Sequence, residues 1–347
     1  MRWLSDRSLT HLLSVANELD FGATKYQLLE EIASGGMGTV YRAADTELAR
    51  EIAIKVLNTP EVNPEMAKRM VREAQIIARL EHPGIVPVHD VGLLADGRVF
   101  YAMKLVRGSR LDEYAAQHDS LKDRLRKFQG ACEAVAFAHT HGVIHRDLKP
   151  QNIMIGSFGE VLVLDWGVAK IIGRDSDSFL EADTLRLTPR SDSEAAAEQI
   201  VEPARTEDTA QGTIIGTPLY MSPEQARGEI DQLDERSDVY SLGAILYFLL
   251  TNQSPGSTRP RELSPKIGKA VEAVCQKAMA PNRTERYASA RELRDDVVKL
   301  IDDEPVTAYR ENAGERIGRW LTRNRFLVFL VLAYLLMRIF FVLTARP

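Results

Sequence analysis

The sequence predicts an α+β chain, with strands concentrated in its first third, helices dominating the rest, and a long apolar helix at its end. Three observations lead there. Apolar runs of strand length, interrupted by a glycine-rich turn, recur between Tyr26 and Leu105. Helical apolar spacing then takes over, at Ala131 to His141, Asp238 to Leu250 and Ala288 to Ile301. Phe326 to Thr344 is apolar on every side except at Arg338.

With 347 residues the chain can hold one large domain or two lobes around a real core. Hydrophobic residues make up 45% and charged ones 27%, the balance of a folded protein. A net charge of −5, without a basic stripe interleaved with aromatics, gives no reason to expect nucleic acid as a partner. The two cysteines, Cys132 and Cys275, sit in apolar helical patterns and offer neither zinc spacing nor a disulfide framework. That usage suits a reducing compartment. No long apolar core follows the first charges, so no secretory signal is expected.

Residues 1–25 read as an extension with one amphipathic helix, Ser8 to Leu19, carrying Leu9, Leu12, Leu13 and Val15 near one side. From Tyr26 the pattern is strand-like, and Ala33-Ser34-Gly35-Gly36-Met37-Gly38 makes a turn in which Gly35 and Gly38 permit close approach to backbone. Ile52-Ala53-Ile54-Lys55 is an apolar strand ending in a lysine, and a buried lysine needs a partner. The next helix has Asn63 as N-cap and Pro64 at its first position, with Met70, Ala74, Ile77 and Leu80 on one face. Glu73, four residues before Ile77, lies beside that face and is the expected partner. Val99 to Leu105 is a further strand, which Val106-Arg107-Gly108 breaks.

The chemistry centres on His145-Arg146-Asp147-Leu148-Lys149-Pro150-Gln151-Asn152, followed by Asp165-Trp166-Gly167. Asp147 can accept a hydroxyl proton, Lys149 can neutralise a transferring phosphate, and Asn152 with Asp165 can hold Mg²⁺. This stretch resembles the catalytic loop of protein kinases, and Asp-Trp-Gly looks like a variant of that family's Asp-Phe-Gly. The other parts follow in family order over roughly residues 26–302: Gly35 and Gly38, Lys55, Glu73, Glu224, Asp238 and Arg286. Two departures stand out. Ala33 replaces the first glycine of the family's glycine-rich loop, and Ser222-Pro223-Glu224 stands for the usual Ala-Pro-Glu.

The resemblance implies a two-lobed fold, with a small antiparallel-sheet lobe at about 26–105 and a larger helical lobe at about 106–302. It implies ATP in the cleft between them, contacted by Ala33, Gly35, Gly38, Val40, Ala53, Lys55, Met103, Leu105 and Met154. Met103 would be the gatekeeper, Lys55 and Glu73 the ion pair that positions phosphates, Asp147 the catalytic base and Lys149 its neighbour in charge neutralisation. Asp238 would brace the catalytic loop, and Arg286 would pair with Glu224. The segment after Asp165 is long. Its part at 172–211 carries about ten acidic and four basic residues with little periodicity, the composition of a solvated insert.

The function this implies is transfer of the γ-phosphate of ATP, with Mg²⁺, to Ser/Thr hydroxyls of proteins. Lys149-Pro150 and the Gly216-to-Glu224 segment favour Ser/Thr over Tyr acceptors. A catalytically silent scaffold and a small-molecule kinase are the alternatives. The charged set retained here speaks against the first, and the same two segments speak against the second. Arg146 implies autophosphorylation of the activation segment, with Thr209 and Thr213 as candidates and a second copy of the chain as a partner in trans.

The end of the chain predicts a membrane anchor. As a helix at about 1.5 Å per residue, Phe326 to Thr344 would measure ~28 Å, near the ~30 Å of a hydrocarbon core. Residues 303–325 would be a basic juxtamembrane linker, with Arg316, Arg319, Arg323 and Arg325 before the run and Trp320 at the interface. Positive charge on that side predicts single-pass membrane localisation through 326–344, with the catalytic domain in the cytoplasm.

Overall fold

Strand alternation and one buried helix build the first lobe. The computed structural model describes residues 19–35, 38–58, 64–166, 170–171 and 218–344. β1 (Tyr26–Ser34), β2 (Thr39–Asp45) and β3 (Arg50–Val56) run antiparallel, and β4 (Val88–Leu93) and β5 (Val99–Lys104) complete a sheet of order β1-β2-β3-β5-β4. Between β3 and β4 lies α1 (Pro64–Arg79), which begins at the proline as expected. Its Met70, Ala74 and Ile77 are buried, and Met70 and Ala74 pack with Leu57, Val99 and Tyr101 of the sheet side. The register sets Lys55 opposite Tyr101 and Ala53 opposite Met103 on β5, and Val40 of β2 opposite Lys55.

After β6 (Gly108–Arg110) come α2 (Leu111–Gln117) and α3 (Leu121–Thr140), the spine of the second lobe. α3 starts ten residues before its apolar pattern becomes readable, because Ser120 caps it by accepting the Asp123 N–H. Its Phe128, Ala131, Cys132, Ala134, Val135 and Ala138 are fully buried. β7 (Val143–Ile144) leads into the catalytic-loop stretch, a turn of 3₁₀ helix at Pro150–Asn152, then β8 (Ile153–Gly156) and β9 (Val161–Val163). β10 (Lys170–Ile171) pairs with β7. α4 (Pro223–Ala226), α5 (Glu235–Thr251), α6 (Pro260–Leu263), α7 (Lys269–Ala278) and α8 (Ala290–Ile301) complete the lobe. Asp234 caps α5. Asp238 therefore lies within its first turns rather than opening it.

The chain then turns back on the lobe. The buried carboxylate of Asp296 on α8 accepts from the N–H groups of Thr307 and Ala308, from the Thr307 hydroxyl, and from Tyr287. α9 (Ala313–Arg323) follows, tied to α7 by Lys269 and Glu315 at 2.8 Å, and α10 (Arg325–Thr344) ends the described chain.

The expected membrane anchor needs correction. Phe326 to Thr344 is helical, yet among the described residues no helix is long and apolar enough to cross a membrane. Arg338 interrupts the run. The uninterrupted apolar part, Phe326 to Met337, covers only ~18 Å at about 1.5 Å per residue, against the ~30 Å required. A charge placed inside the remainder costs about 2.5–3.5 kcal/mol. The single-pass membrane localisation, and the orientation that rested on it, fall with the anchor. The Ser8-to-Leu19 helix, the acidic insert, Thr209 and Thr213 lie outside the described residues, apart from Leu19.

Candidate active site

Two clusters of side chains face the junction of the lobes. The first is built by β3, α1 and the segment after β9. Lys55 Nζ donates to Glu73 Oε1 at 2.9 Å and to Asp165 Oδ1 at 2.8 Å. Lys55 and Glu73 are both buried, and the buried lysine has the partner that its strand position demanded. Burial alone would pull the Lys55 pKa down. The carboxylates of Glu73 and Asp165 outweigh that and raise it above the usual value, so Lys55 stays cationic. Asp165 is half-exposed; the surrounding protein still opposes its ionisation, and the adjacent Lys55 ammonium reverses the balance, holding its pKa below the usual carboxylate value.

The second cluster belongs to the turn between β7 and β8. Lys149 Nζ donates to Asp147 Oδ2 at 2.8 Å, and Asn152 Nδ2 donates to the Asp147 backbone carbonyl at 2.8 Å and to Oδ2 at 3.2 Å. The three residues expected to act on the acceptor hydroxyl and the phosphate are thus gathered around one carboxylate. The clusters are stitched together by backbone: Leu164, beside Asp165, donates its N–H to Asn152 O, and its carbonyl accepts from His145 Nε2.

The loop itself hangs on Asp238, which is completely buried on α5. Its carboxylate accepts from His139 Nε2 and the His145 N–H at 2.8 Å, and from the Arg146 N–H at 2.9 Å. Burial would raise the Asp238 pKa, but the His139 hydrogen bond leads the groups that hold it below the usual value. Arg146 and Asp165 both take left-handed backbone, at φ 70° and 62°. For residues with a Cβ such conformations persist only when the surroundings enforce them, and Asp238 is one such enforcement.

The glycine-rich turn divides its labour. Gly35 N–H donates to Gly38 O at 3.0 Å, closing the turn, and among the described residues a Cβ on Gly35 would meet only that oxygen, at 3.9 Å. A Cβ on Gly38 would come within 2.5 Å of the Val56 carbonyl oxygen, so this glycine is required by β3 itself. Ala33 pairs with Val40 across the turn, Val40 pairs with Lys55 on β3, and Ala53 pairs with Met103 on β5. Leu105 lies just past β5, and Met154 on β8 pairs with Arg110 and Leu162.

Asn152 and Asp165 fit a magnesium ion by donor chemistry. One carboxylate and one carboxamide oxygen are hard ligands, and Mg²⁺ commonly takes one or two protein oxygens with phosphates and waters filling its octahedron. Asn152 spends its NH₂ on Asp147, which leaves its carbonyl oxygen for a metal.

The activation-segment end is anchored by Arg286, whose Nη1 and Nη2 donate to Glu224 at 2.7 and 2.8 Å, with Ser237 Oγ on the same carboxylate at 2.9 Å. Gln225 Nε2 reaches back to the Arg146 carbonyl at 2.8 Å. The Arg146 guanidinium is different. Its Nε and Nη2 are buried without a hydrogen-bond partner among the described residues, and burial lowers its pKa despite Asp238 nearby.

Sequence reasoning missed Tyr101, His139 and Gln225. Tyr101 had a readable signal: in a strand, residues two apart share a face, so Tyr101 points where Met103 does. His139 and Gln225 act through contacts far apart in sequence and left no local trace.

The comparisons with known proteins agree with this geometry. The family profile described as a protein kinase domain matches residues 26–308. The serine/threonine-protein kinase PknD of Chlamydia trachomatis serovar L2b is 35% identical over 314 residues, covering 81% of this chain and 32% of its own. PknD of Protochlamydia amoebophila is 33% identical, covering 80% and 30%. The chain thus spans about a third of the length of these relatives. The crystal structure of the Mycobacterium tuberculosis PknI kinase domain superposes with a TM-score of 0.56 at 22% identity, over 80% of this chain and 96% of that one, a likeness of fold.

Proposed function

This chain belongs to the protein kinase family, and from that premise we propose that it transfers the γ-phosphate of ATP to serine and threonine hydroxyls of proteins. The observation that carries the proposal is the closed Lys55–Glu73 ion pair, joined to Asp165 beside an Asp147 already gathered with Lys149 and Asn152. The catalytic domain proposed is 26–302, with the contacts of Thr307 and Ala308 on Asp296 extending its packed body.

Each residue has a task that follows from its surroundings. Lys55 stays protonated and offers its remaining N–H to the α- and β-phosphates. Gly35 leaves room for phosphate close to backbone, while Val40, Ala53, Met103, Leu105 and Met154 would enclose the adenine. Asn152 and Asp165 would hold Mg²⁺, which when bound supplies charge neutralisation across the phosphate oxygens. Asp147 orients the acceptor hydroxyl and takes its proton as the oxygen attacks; Lys149 offsets charge on the moving phosphoryl group. Most of the rate would come from positioning and from charges fixed in advance.

Arg146 supports regulation by autophosphorylation. A guanidinium whose buried Nε and Nη2 have no hydrogen-bond partner among the described residues suits a phosphate on the activation segment, Thr209 or Thr213 being the candidates, delivered by a second copy of the chain. The test of the main proposal is incubation of the full chain with γ-labelled ATP, Mg²⁺ and casein, followed by acid hydrolysis. Label on phosphoserine and phosphothreonine is expected; no protein label, or phosphotyrosine alone, overturns it.

A further inference from the structure

Glu73 holds its place through more than Lys55. Tyr101 Oη donates to Glu73 Oε1 at 2.7 Å, the same oxygen that accepts from Lys55 Nζ at 2.9 Å. Tyr101 is 2% exposed and lies opposite Lys55 in the β3–β5 register, its ring 5.8 Å from the Lys55 ammonium. We propose that Tyr101 is a positioning residue for phosphoryl transfer: its hydroxyl fixes α1 so that Glu73 faces the cleft independently of what Lys55 is doing. This role rests on the kinase reading above.

The physical need arises from the sharing of Lys55. Its ammonium has three N–H groups, two of them already on Glu73 and Asp165, and nucleotide phosphates would draw it toward the cleft. As Lys55 shifts, its hold on Glu73 slackens. The packing of Met70 and Ala74 of α1 against Leu57 and Val99 is apolar and non-directional. Such contacts keep the helix against the sheet but do not fix its rotation. A hydroxyl on a central strand does, because a hydrogen bond weakens steeply with angle.

The burial of Tyr101 fits this reading. Burial first, then the Glu73 carboxylate, push its phenol far above the ordinary value, so the hydroxyl keeps its proton and remains a donor throughout the working pH range. A phenylalanine would fill nearly the same volume in a purely packed lobe. The hydroxyl adds direction.

Tyr101→Phe tests the idea, since the ring and its packing stay. In the full chain, with casein and MgATP, kcat/KM for ATP should fall about tenfold or more, the scale of a hydrogen bond to a charged group, while KM for casein is unchanged. In a Glu73→Ala background the same substitution should cause no further loss, because the group it positions is gone. A merely space-filling Tyr101 would give Tyr101→Phe wild-type kinetics, and that result overturns the proposal; so does a full additional loss in the Glu73→Ala background. A wild-type chain that binds no fluorescent ATP analogue and labels no protein would overturn the kinase reading, and this role with it.

Discussion

Gly35 and Gly38 stand three residues apart, and one methyl group on each should do opposite things. On Gly38 it meets the Val56 carbonyl oxygen at 2.5 Å, a clash with backbone that β2 and β3 cannot relieve cheaply. Gly38→Ala should destabilise the small lobe by about 1–3 kcal/mol, visible as a lower Tm. On Gly35 the methyl makes ordinary contact with the Gly38 carbonyl oxygen, at 3.9 Å, so Gly35→Ala should melt like the wild type but raise KM for ATP. A fall in Tm for Gly35→Ala, or none for Gly38→Ala, would contradict this division. Asp147→Asn keeps the shape that Lys149 and Asn152 surround and removes the base. Its phosphotransfer rate should fall about 10²–10⁴-fold, with an unchanged melting curve. The residues gathered around Lys55 and Asp147 were legible in the sequence because their types and spacings match a motif. Tyr101 was passed over despite sharing a strand face with Met103, since an aromatic in a strand reads first as core.

At the scale of elements, the Glu224–Arg286 pair pins the turn at Ser222–Ala226 to the helical lobe. Burial would raise the Glu224 pKa from 4.5, but the Arg286 guanidinium, backbone and Ser237 lower it to about 2. The depressed value means that this pair's stabilisation is complete above about 4.5 and is lost as pH falls from there toward 2. Thermal melts across that window should show Tm declining with acid. Arg286→Ala leaves a buried carboxylate without its partner, costing about 3–5 kcal/mol near neutral pH, and its Tm should depend less on pH below 4.5. An equal acid slope in both proteins would rule out the pair as its source. The start of α1 at Pro64 and its apolar face were legible, while its expected cap, Asn63, lies outside the described residues. α3 and α5 were shortened because Ser120 and Asp234 open them through polar first turns, where periodicity is silent.

At the scale of the molecule, the two-lobed architecture was readable through the resemblance of the motifs to protein kinases, and the segregation of strands and helices along the chain agrees with it. The fate of its end was not. Hydropathy counted the apolar residues of 326–344 and underweighted the cut made by Arg338. The sequence also gave no sign that residues past 302 fold back on Asp296. A chain ending at residue 304 would strip that buried carboxylate of the Thr307 and Ala308 donors. It should melt roughly 5 °C or more below a chain ending at residue 312, as a loss of about 2–3 kcal/mol implies; equal melting would place the tether outside the cooperative unit. Asp238 ties time scales together in the same way. The His145 and Arg146 amides end on a carboxylate at the centre of the helical lobe, with no solvent beside it. In deuterated water these two protons should be among the last to exchange, released only when the whole lobe opens. The machinery that must act within milliseconds would then be mounted on the slowest clock in the protein.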